Sequence, residues 1–275
     1  MYKLLCTDMD GTLLNDKKEI SERNLRAIKE VHEKGVKVVV CTGRMFTSAD
    51  FFSDLLGVKT PVIASNGAFI REKDRDEIIY KALLGKKNSF TILNVCKKHG
   101  IYPNFHTHNT IFTEEITYSA ASYVKINETL PEGKKITITL VKDWEEIFNK
   151  YENEILKCIA VDTDGERIDR AKQELSLLGS LEVVSSFKNN FEAMNRGVSK
   201  GRAVEILAHY YNISKEEIIC IGDNENDISM IEYAGLGVAM ANGEECVKKA
   251  ADYITDNNND DGVAKVIEEF ILNKI

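Results

Sequence analysis

Four short apolar runs in this chain each end in a cluster of polar residues. The runs cover residues 2–6, 36–41, 61–65 and 218–221, and the polar residues that follow them cover 8–12, 42–44, 66–67 and 222–227. Continuous apolar runs of this length are typical of strands that are buried on both faces, as in a parallel sheet. Helical patterns alternate with these runs, beginning with a helix that Ser21 is expected to cap. We therefore expect an α/β fold whose polar clusters meet at the carboxyl edge of one sheet, where such sheets bind ligands.

The first cluster brings two carboxylates together after the first strand. Asp8 follows the strand directly, and Asp10 comes two residues later. An exposed aspartate in this position can attack phosphorus and form an acyl phosphate, and a second carboxylate can handle the proton of the leaving oxygen. Gly11 permits a sharp turn, and Thr12 can hydrogen-bond that turn. The pattern predicts phosphoryl transfer, although the same five residues also form ordinary turns.

Two further clusters suit the binding of a phosphate group. Thr42, Gly43 and Arg44 offer a hydroxyl, a flexible backbone and a cation. Lys200 opens an amphipathic stretch at 203–207, so its ammonium is expected near a helix N-terminus, which itself favours anions. Each feature alone fits a strand-end turn or a solvated lysine. Their order along one chain is harder to explain in that way, and it favours a phosphate site.

The order of these motifs resembles that of the haloacid dehalogenase superfamily of phosphohydrolases, and within it the Cof-type branch. The segments that carry the resemblance span nearly the whole chain: 8–12, 42–44, Lys200 and 222–230. The resemblance implies a three-layer, Rossmann-like α/β core with a parallel sheet. It also implies an inserted α/β cap domain of the C2 type.

The same resemblance implies roles for individual residues. Asp8 is the expected nucleophile, and Asp10 is the expected general acid and then base. Mg²⁺ is the expected cofactor, held by Asp8, the backbone carbonyl of Asp10 and Asp223. The residues expected to contact the phosphate or the rest of the substrate are Met9, Thr42, Gly43, Arg44, Asn66, Lys200 and Asn226.

Two carboxylates with different roles need different surroundings. Asp10 has to carry a proton when the ester oxygen leaves, so we expect burial beside other carboxylates to raise its pKa. Asp8 has to stay ionised on the metal. Asp227 is expected behind the metal ligands, where it orients Lys200 or a metal-bound water. An acid at the N-terminus of the following helix is an equally good interpretation of Asp227.

The chain is expected to form one core that an inserted domain interrupts. The expected boundaries are 1–84 and 191–275 for the core and 85–190 for the cap. Helical stretches and strand-like runs alternate within the cap, and neither a P-loop nor a G-x-G-x-x-G pattern occurs there. We expect the cap to exclude water from the acyl phosphate and to contact the leaving group of the substrate.

Composition restricts the classes of partner. The 275 residues carry a formal net charge of −8, which argues against a nucleic-acid partner. No stretch of the sequence is apolar enough for a membrane span, and the first strand begins too early to leave room for a signal peptide, so we expect a cytoplasmic protein. The six cysteines have no C-x-x-C spacing, and three of them lie in strand runs as small buried residues. The sequence does not indicate an oligomeric state.

Two other patterns have competing interpretations. His106 and His108 alternate on a predicted strand and can pair on a metal, but without a third ligand a solvated or substrate-facing strand end is favoured. The acidic and amide-rich run at 256–262 lacks the spacing of an EF-hand calcium loop. A loop before the helix that begins at Val263 is the favoured interpretation of that run.

The function that we expect is a Mg²⁺-dependent hydrolase of small phosphomonoesters, such as sugar phosphates or phosphorylated cofactors, acting through a phosphoaspartate at Asp8. A phosphosugar mutase is the alternative within the same chemistry, and a requirement for a bisphosphate activator distinguishes it. A non-catalytic regulatory protein that binds a phosphate ligand and a phospho-accepting receiver are alternatives from other classes. A receiver domain is far shorter, and a regulatory homologue is expected to lose Asp8 or Asp10, whereas this chain has both.

Overall fold

The structure, a computed structural model, describes residues 1–73 and 75–274. The chain divides into two compact units. The core unit comprises Met1–Arg44, Ala49–Tyr80 and Ser199–Ile275, and the inserted unit comprises Met45–Ser48 and Lys81–Val198. The chain therefore leaves the core and returns to it, in agreement with the expected α/β core that carries an insertion.

Strands and helices alternate along most of the chain. The strands are β1 (Leu4–Thr7), β2 (Lys37–Cys41), β3 (Val62–Ala64), β4 (Phe69–Glu72), β5 (Glu77–Lys81), β6 (Pro103–His106), β7 (Thr110–Thr113), β8 (Thr137–Leu140), β9 (Lys157–Val161), β10 (Leu181–Val184), β11 (Asn190–Asn195), β12 (Ile218–Gly222), β13 (Leu236–Ala239) and β14 (Tyr253–Ile254). The helices are α1 (Glu22–Glu33), α2 (Phe46–Asp54), α3 (Lys86–His99), α4 (Tyr118–Thr129), α5 (Trp144–Lys150), α6 (Gly165–Leu177), α7 (Lys200–Tyr211), α8 (Ile228–Tyr233), α9 (Glu245–Ala250) and α10 (Gly262–Phe270).

The core unit contains an eight-stranded sheet in the order β14-β13-β12-β1-β2-β3-β4-β5. β1 lies inside this sheet and pairs in parallel with β12 on one side and with β2 on the other. The parallel pairing continues from β2 to β3 and from β12 to β13, whereas β4 is antiparallel to β3. Because parallel neighbours end at the same edge, the polar residues after β1, β2 and β12 come together there.

One face of the core sheet packs against α7 and α8. Leu4 and Cys6 of β1 share a hydrophobic cluster with Val204 and Leu207 of α7 and with Met230 of α8. Leu5 alternates with these strand residues and therefore lies on the opposite face. The burial of all four residues of β1 follows from this two-sided packing and explains the continuous apolar run.

The inserted unit contains a separate six-stranded sheet in the order β10-β11-β9-β6-β7-β8. Its pairs are antiparallel except for β7 and β8, which run parallel. Phe105 and Phe191 of this sheet form a hydrophobic cluster with Ile92 of α3, Phe148 of α5 and Leu175 of α6. One face of the sheet therefore carries the apolar core of this unit.

The limits of the inserted unit lie outside the expected span of 85–190. β11 crosses the expected limit at residue 190 and pairs with both β9 and β10, so the compact unit extends to Val198. Phe191 alternates with the buried polar Glu192 in this strand. A search for continuous apolar runs does not detect such an alternating strand.

No helix of the described residues is both long and apolar enough to cross a membrane.

Candidate active site

The loop after β1 is fastened to the end of β12. The backbone amide of Asp8 donates a hydrogen bond to the carbonyl of Ile221 at 2.9 Å, and the Asp8 side chain is buried. Gly11 adopts φ of +81°, a left-handed conformation that favours glycine. A Cβ at this position would lie 2.4 Å from Oδ2 of Asp223, so the close approach also requires glycine. The turn therefore brings the Asp8 loop against Asp223.

A buried ammonium lies between two carboxylates. Lys200, the first residue of α7, donates hydrogen bonds from Nζ to Oδ1 of Asp8 at 2.6 Å and to Oδ1 of Asp227 at 2.5 Å. Neither the Lys200 nor the Asp227 side chain is exposed to solvent. The charges of Asp227 and Asp8 outweigh the opposite effect of burial and hold the pKa of Lys200 well above its ordinary value, so this residue is a fixed cation.

Asp227 also closes the loop that follows β12. Its Oδ2 accepts hydrogen bonds from the backbone amides of Asp223 at 2.9 Å and Asn224 at 3.0 Å. The structure thus places Asp227 on Lys200, as one of the two interpretations from sequence predicts, and adds a contact with the backbone of the Asp223 loop.

Asp223 is held by neighbours of its own. Thr12 donates its hydroxyl to Oδ1 at 2.6 Å, and Asn224 donates its side-chain amide to Oδ2 at 2.6 Å. Burial, followed by the charges of Asp8 and Asp227, raises the pKa of Asp223 to about 8. Burial likewise raises the pKa of Asp8 to about 7 against the attraction of Lys200, and the charge of Asp227 adds to the rise. The cluster thus carries more carboxylates than cations.

This arrangement fits a divalent cation. Asp8, Asp223 and Asp227 each offer a carboxylate oxygen, and these atoms lie within 4.8 Å of one another. Asp227 already uses both oxygens on Lys200 and on backbone amides, which leaves Asp8 and Asp223 as the better side-chain ligands. Hard oxygen donors suit Mg²⁺, and a cation here compensates the excess negative charge that, after burial, raises the pKa values of Asp8 and Asp223.

Asp10 lies in different surroundings from Asp8. Arg44 donates to it twice, from Nε at 2.6 Å and from a terminal nitrogen at 2.8 Å, and Lys18 donates from Nζ at 2.9 Å. Burial raises the pKa of Asp10, but the hydrogen bonds and charge of Arg44, with those of Lys18, hold it well below its ordinary value. The guanidinium of Arg44 also lies 4.4 Å from the centre of the Phe52 ring.

The expected order of the two pKa values is therefore wrong in this structure. The sequence suggested burial of Asp10 among carboxylates and an ionised Asp8. Instead, Asp10 is paired with two cations, whereas Asp8 shares Lys200 with Asp227. The direction of each shift follows from this unequal supply of positive charge.

The predicted phosphate-binding residues after β2 and β3 form a connected group. The backbone amide of Asn66 donates to the carbonyl of Thr42 at 3.1 Å, and the side-chain amide of Asn226 donates to Oδ1 of Asn66 at 3.0 Å. The amide of Arg44 donates to the Thr42 hydroxyl at 3.2 Å, so Gly43 lies between two residues that are bonded to each other. The group joins the ends of β2, β3 and β12.

The buried position of Met9 limits which of its atoms can contact a phosphate group. Its side chain is buried, and its carbonyl accepts hydrogen bonds from the amides of Thr12 and Leu14. A contact with phosphate would therefore come from the Met9 backbone amide.

Sequence reasoning missed a brace between two loops of the core unit. Asn242 donates its side-chain amide to the carbonyl of Gly11 at 2.7 Å, and Asn258 donates to the carbonyl of Leu14 at 3.0 Å. The backbone amide of Asn258 in turn donates to Oδ1 of Asn242 at 2.9 Å. Asn242 and Asn258 also line a recess of about 480 Å³, together with Gly11, Asp16, Ala241 and the other residues of 257–260. In the sequence, the amide-rich run at 256–262 was the only sign of this contact. In the structure, Asn258 of this run holds the loop that follows Asp10.

Comparison with known proteins agrees with this geometry. The haloacid dehalogenase-like hydrolase family matches residues 5–267. The phosphatase YwpJ of Bacillus subtilis is 30% identical over 98% of this chain and 100% of its own length. The 5-amino-6-(5-phospho-D-ribitylamino)uracil phosphatase YcsE of the same organism is 32% identical over 98% of this chain and 96% of its own length.

A solved structure extends the likeness to the fold. A haloacid dehalogenase-like hydrolase from Bacillus subtilis is 29% identical with a TM-score of 0.87, covering 98% of this chain and 100% of that one. Both the family match and the relatives span nearly the whole chain. The chain therefore belongs to the haloacid dehalogenase-like hydrolase family, in its Cof-type branch, and is a phosphoric monoester hydrolase.

Proposed function

We propose that the protein is a Mg²⁺-dependent phosphatase that hydrolyses small phosphomonoesters through a phosphoaspartate at Asp8. The observation that carries this proposal is the buried group of Asp8, Asp223, Asp227 and Lys200 at the carboxyl ends of β1 and β12. A nucleophilic carboxylate, further carboxylates for a cation and a fixed ammonium are the groups that phosphoryl transfer from an ester to an aspartate requires.

The residues that would hold Mg²⁺ are Asp8 and Asp223, together with the backbone carbonyl of Asp10. When bound, the ion supplies positive charge that offsets the repulsion between a carboxylate and the phosphate group and favours the ionised form of both aspartates. Asp227 keeps Lys200 and the loop of Asp223 in place through the contacts described above.

The protein groups then have separate tasks in the proposed reaction. Asp8 forms the new bond to phosphorus while the bond to the ester oxygen breaks. Lys200 and the group around Thr42, Gly43, Asn66 and Asn226 orient the phosphate oxygens and stabilise their charge.

Asp10 donates a proton to the leaving oxygen in the first step and takes one from the attacking water in the second. This role requires Asp10 to part from Arg44 and Lys18, because both cations favour its ionised form. Arg44 is itself a proposed phosphate contact, so a phosphate oxygen can replace Asp10 as its partner.

The inserted unit is proposed to determine which esters are hydrolysed, while the core unit carries out the reaction. Sugar phosphates and phosphorylated cofactors are the proposed substrate class. The name of the relative YcsE, which refers to a phosphorylated ribityl compound, supports this class.

We also propose a cytoplasmic location, in which the six free cysteines stay reduced.

The experiment that tests the proposed function is phosphate release from p-nitrophenyl phosphate by the purified protein, with and without Mg²⁺. We expect turnover only with Mg²⁺, and none from Asp8→Asn under either condition, because that change removes the nucleophile. Asp169→Asn, which changes an exposed aspartate of α6 in the inserted unit, is the control and should keep most of the activity. Full activity in EDTA would show that the metal assignment is wrong, and activity in Asp8→Asn would reject the phosphoaspartate.

A further inference from the structure

The eight-stranded core sheet ends in a strand whose outer side is unpaired. β5 is the last strand in the sheet order, beside β4, and no other strand of residues 1–73 and 75–274 pairs with its outer edge. Within the same residues, neither a loop nor a helix forms a backbone hydrogen bond with 78–80. A free edge presents a row of amides and carbonyls to any strand that can lie alongside it. β5 therefore carries the backbone groups that one more strand requires.

The middle of β5 is apolar and partly exposed. The strand reads Glu77, Ile78, Ile79, Tyr80, Lys81. The side chain of Ile78 is 51% exposed, and Ile79 and Tyr80 are half-buried. Charged residues are a common means of keeping such an edge from pairing, and here a charge stands at each end of the strand. Between these charges, a further strand would cover apolar surface that is now in contact with water.

The order of charges in β5 is complementary to itself when the strand is reversed. In an antiparallel pair of two β5 strands centred on Ile79, Glu77 of each copy lies opposite Lys81 of the other. Ile78 then lies opposite Tyr80, a pairing of a β-branched with an aromatic side chain that stabilises sheets. A shift of two residues in either direction instead places Ile79 opposite Glu77 or opposite Lys81. Of these registers, only the centred one pairs both charges.

Both charged side chains keep the capacity for a further partner. Tyr210 of α7 donates its hydroxyl to Oε2 of Glu77 at 2.9 Å, and among the described residues no hydrogen bond is made to Oε1. Lys81 donates one proton of its ammonium to the carbonyl of Asn153, and an ammonium has two more. An ion pair with a second copy therefore does not require either residue to give up its present contact.

We infer that β5 is the contact surface of a homodimer, in which it pairs antiparallel with β5 of a second copy of this chain, centred on Ile79. A two-fold axis through this point makes the contact the same on both copies, and the two core sheets continue into one another. Main-chain hydrogen bonds hold a strand that is added in this way, and the side-chain pairs fix its register. Because the contact comprises one short strand from each copy, we expect a weak dimer. The inference is independent of the proposed function.

The test measures self-association of the whole protein by analytical ultracentrifugation from about 1 µM to about 1 mM. The mass should rise toward that of two chains across this range. Glu77→Lys should weaken association roughly tenfold, because two pairs of like charges replace two ion pairs. Lys81→Glu should have the same effect. The variant that carries both changes should associate as the wild-type protein does, since its reversed charges pair again.

The matched control is Glu166→Lys in α6. Glu166 is exposed and lies 3.4 Å from Arg170 of the same helix. This change alters the net charge as Glu77→Lys does, but it should leave association unchanged. Thermal unfolding checks that each variant folds. A protein that stays monomeric throughout the range overturns the inference, as does association that neither reversal weakens or that the double variant fails to restore.

Hydrogen exchange locates the contact by a second route. The backbone amides of β5 should exchange more slowly in concentrated than in dilute protein, because the second copy protects them. β14 lies at the opposite edge of the same sheet and is the internal control, so its exchange should be the same at both concentrations. A dimer in which the exchange of β5 is unchanged has its contact elsewhere and overturns the inference.

Discussion

Asp8 and Asp10 are two residues apart in the chain but have opposite electrostatic surroundings. Asp8 is buried and shares Lys200 with Asp227, and its pKa rises to about 7. Asp10 is bonded by Arg44 and Lys18, which hold its pKa low in spite of burial. The proposed reaction requires the reverse distribution, with an ionised Asp8 and a protonated Asp10. Ligand binding therefore has to change the surroundings of both residues.

Asp10→Asn should separate the two steps of the proposed reaction. Without the proton of Asp10, a sugar alkoxide leaves with difficulty, but nitrophenolate leaves unaided, so the first step should survive with the aryl ester. The second step should then stall, because the same residue is missing as the base for water. Labelled phosphate should accumulate on the protein in rapid-quench experiments and be released by hydroxylamine. Equal loss of the first step for aryl and alkyl esters, with no trapped phosphate, would show that Asp10 is neither acid nor base.

The raised pKa values predict that the metal-free protein becomes less stable as the pH rises. In the unfolded chain both carboxyls ionise near pH 4, whereas Asp8 and Asp223 ionise near 7 and 8 in the folded protein. Between about pH 4 and 8 the folded state thus holds more protons than the unfolded state, and the free energy of unfolding decreases with pH. The lowered pKa of Asp10 acts only at more acidic pH, where its stabilising effect is lost as the pH falls.

Thermal unfolding in EDTA across this range measures the effect. Mg²⁺ should raise the unfolding temperature more at pH 8 than at pH 5, because it binds the ionised carboxylates and competes with protons at the lower pH. Asp223→Asn should flatten the decline in EDTA. A decline as steep in that variant as in the wild-type protein would contradict the assignment to this cluster.

At the scale of single elements, the turn after β1 requires glycine at position 11. Gly11→Ala should lower the turnover of p-nitrophenyl phosphate about a hundredfold, because an added Cβ 2.4 Å from Asp223 displaces the Asp8 loop. Gly35→Ala is the matched control: its φ of +87° is also left-handed, but an added Cβ meets nothing within 4 Å. That variant should lose only about 1–2 kcal/mol of stability and keep its activity. Steady-state kinetics and urea denaturation of both variants check this, and equal activity in the two would contradict it.

The sequence predicts those strands of the core unit that are completely buried and those helices whose apolar residues are regularly spaced. β1, β2 and β12 appear as continuous apolar runs, and α7 appears through its apolar spacing after Lys200. α4 was not predicted because only Ala120 of its residues is fully buried, so its sequence has no clear apolar face.

The composition of the charged cluster was predictable, but its pairing was not. The strand-end motifs, together with the family resemblance that they carry, indicated Asp8, Lys200, Asp223 and Asp227, which the structure brings together. The pairing of Asp10 with Lys18 and Arg44, and the brace from Asn242 and Asn258, depend on how loops from distant parts of the chain meet. A pattern read along the sequence does not contain that information, and for this reason the pKa of Asp10 was predicted in the wrong direction.

At the scale of the whole molecule, the charged cluster belongs entirely to the core unit, and the sheet of the inserted unit contributes none of its residues. Replacing Lys81–Val198 by a short linker should therefore leave some hydrolysis of small aryl phosphates and abolish selectivity among natural esters. Competition between p-nitrophenyl phosphate and a panel of sugar phosphates measures this selectivity. The same deletion in Asp8→Asn controls for contaminating phosphatase, and unchanged selectivity after the deletion would place recognition in the core.

The position of β12 beside β1 has a consequence for synthesis on the ribosome. Translation delivers β1 to β5 of the core sheet first, then residues 82–198 of the inserted unit, and only afterwards Lys200, β12 and Asp227. Until then the nascent chain exposes an unpaired strand edge along β1, which invites association with other chains. A product that terminates before residue 200 therefore contains Asp8 but lacks Lys200, Asp223 and Asp227. The proposed phosphatase activity therefore requires that synthesis has proceeded past Asp227.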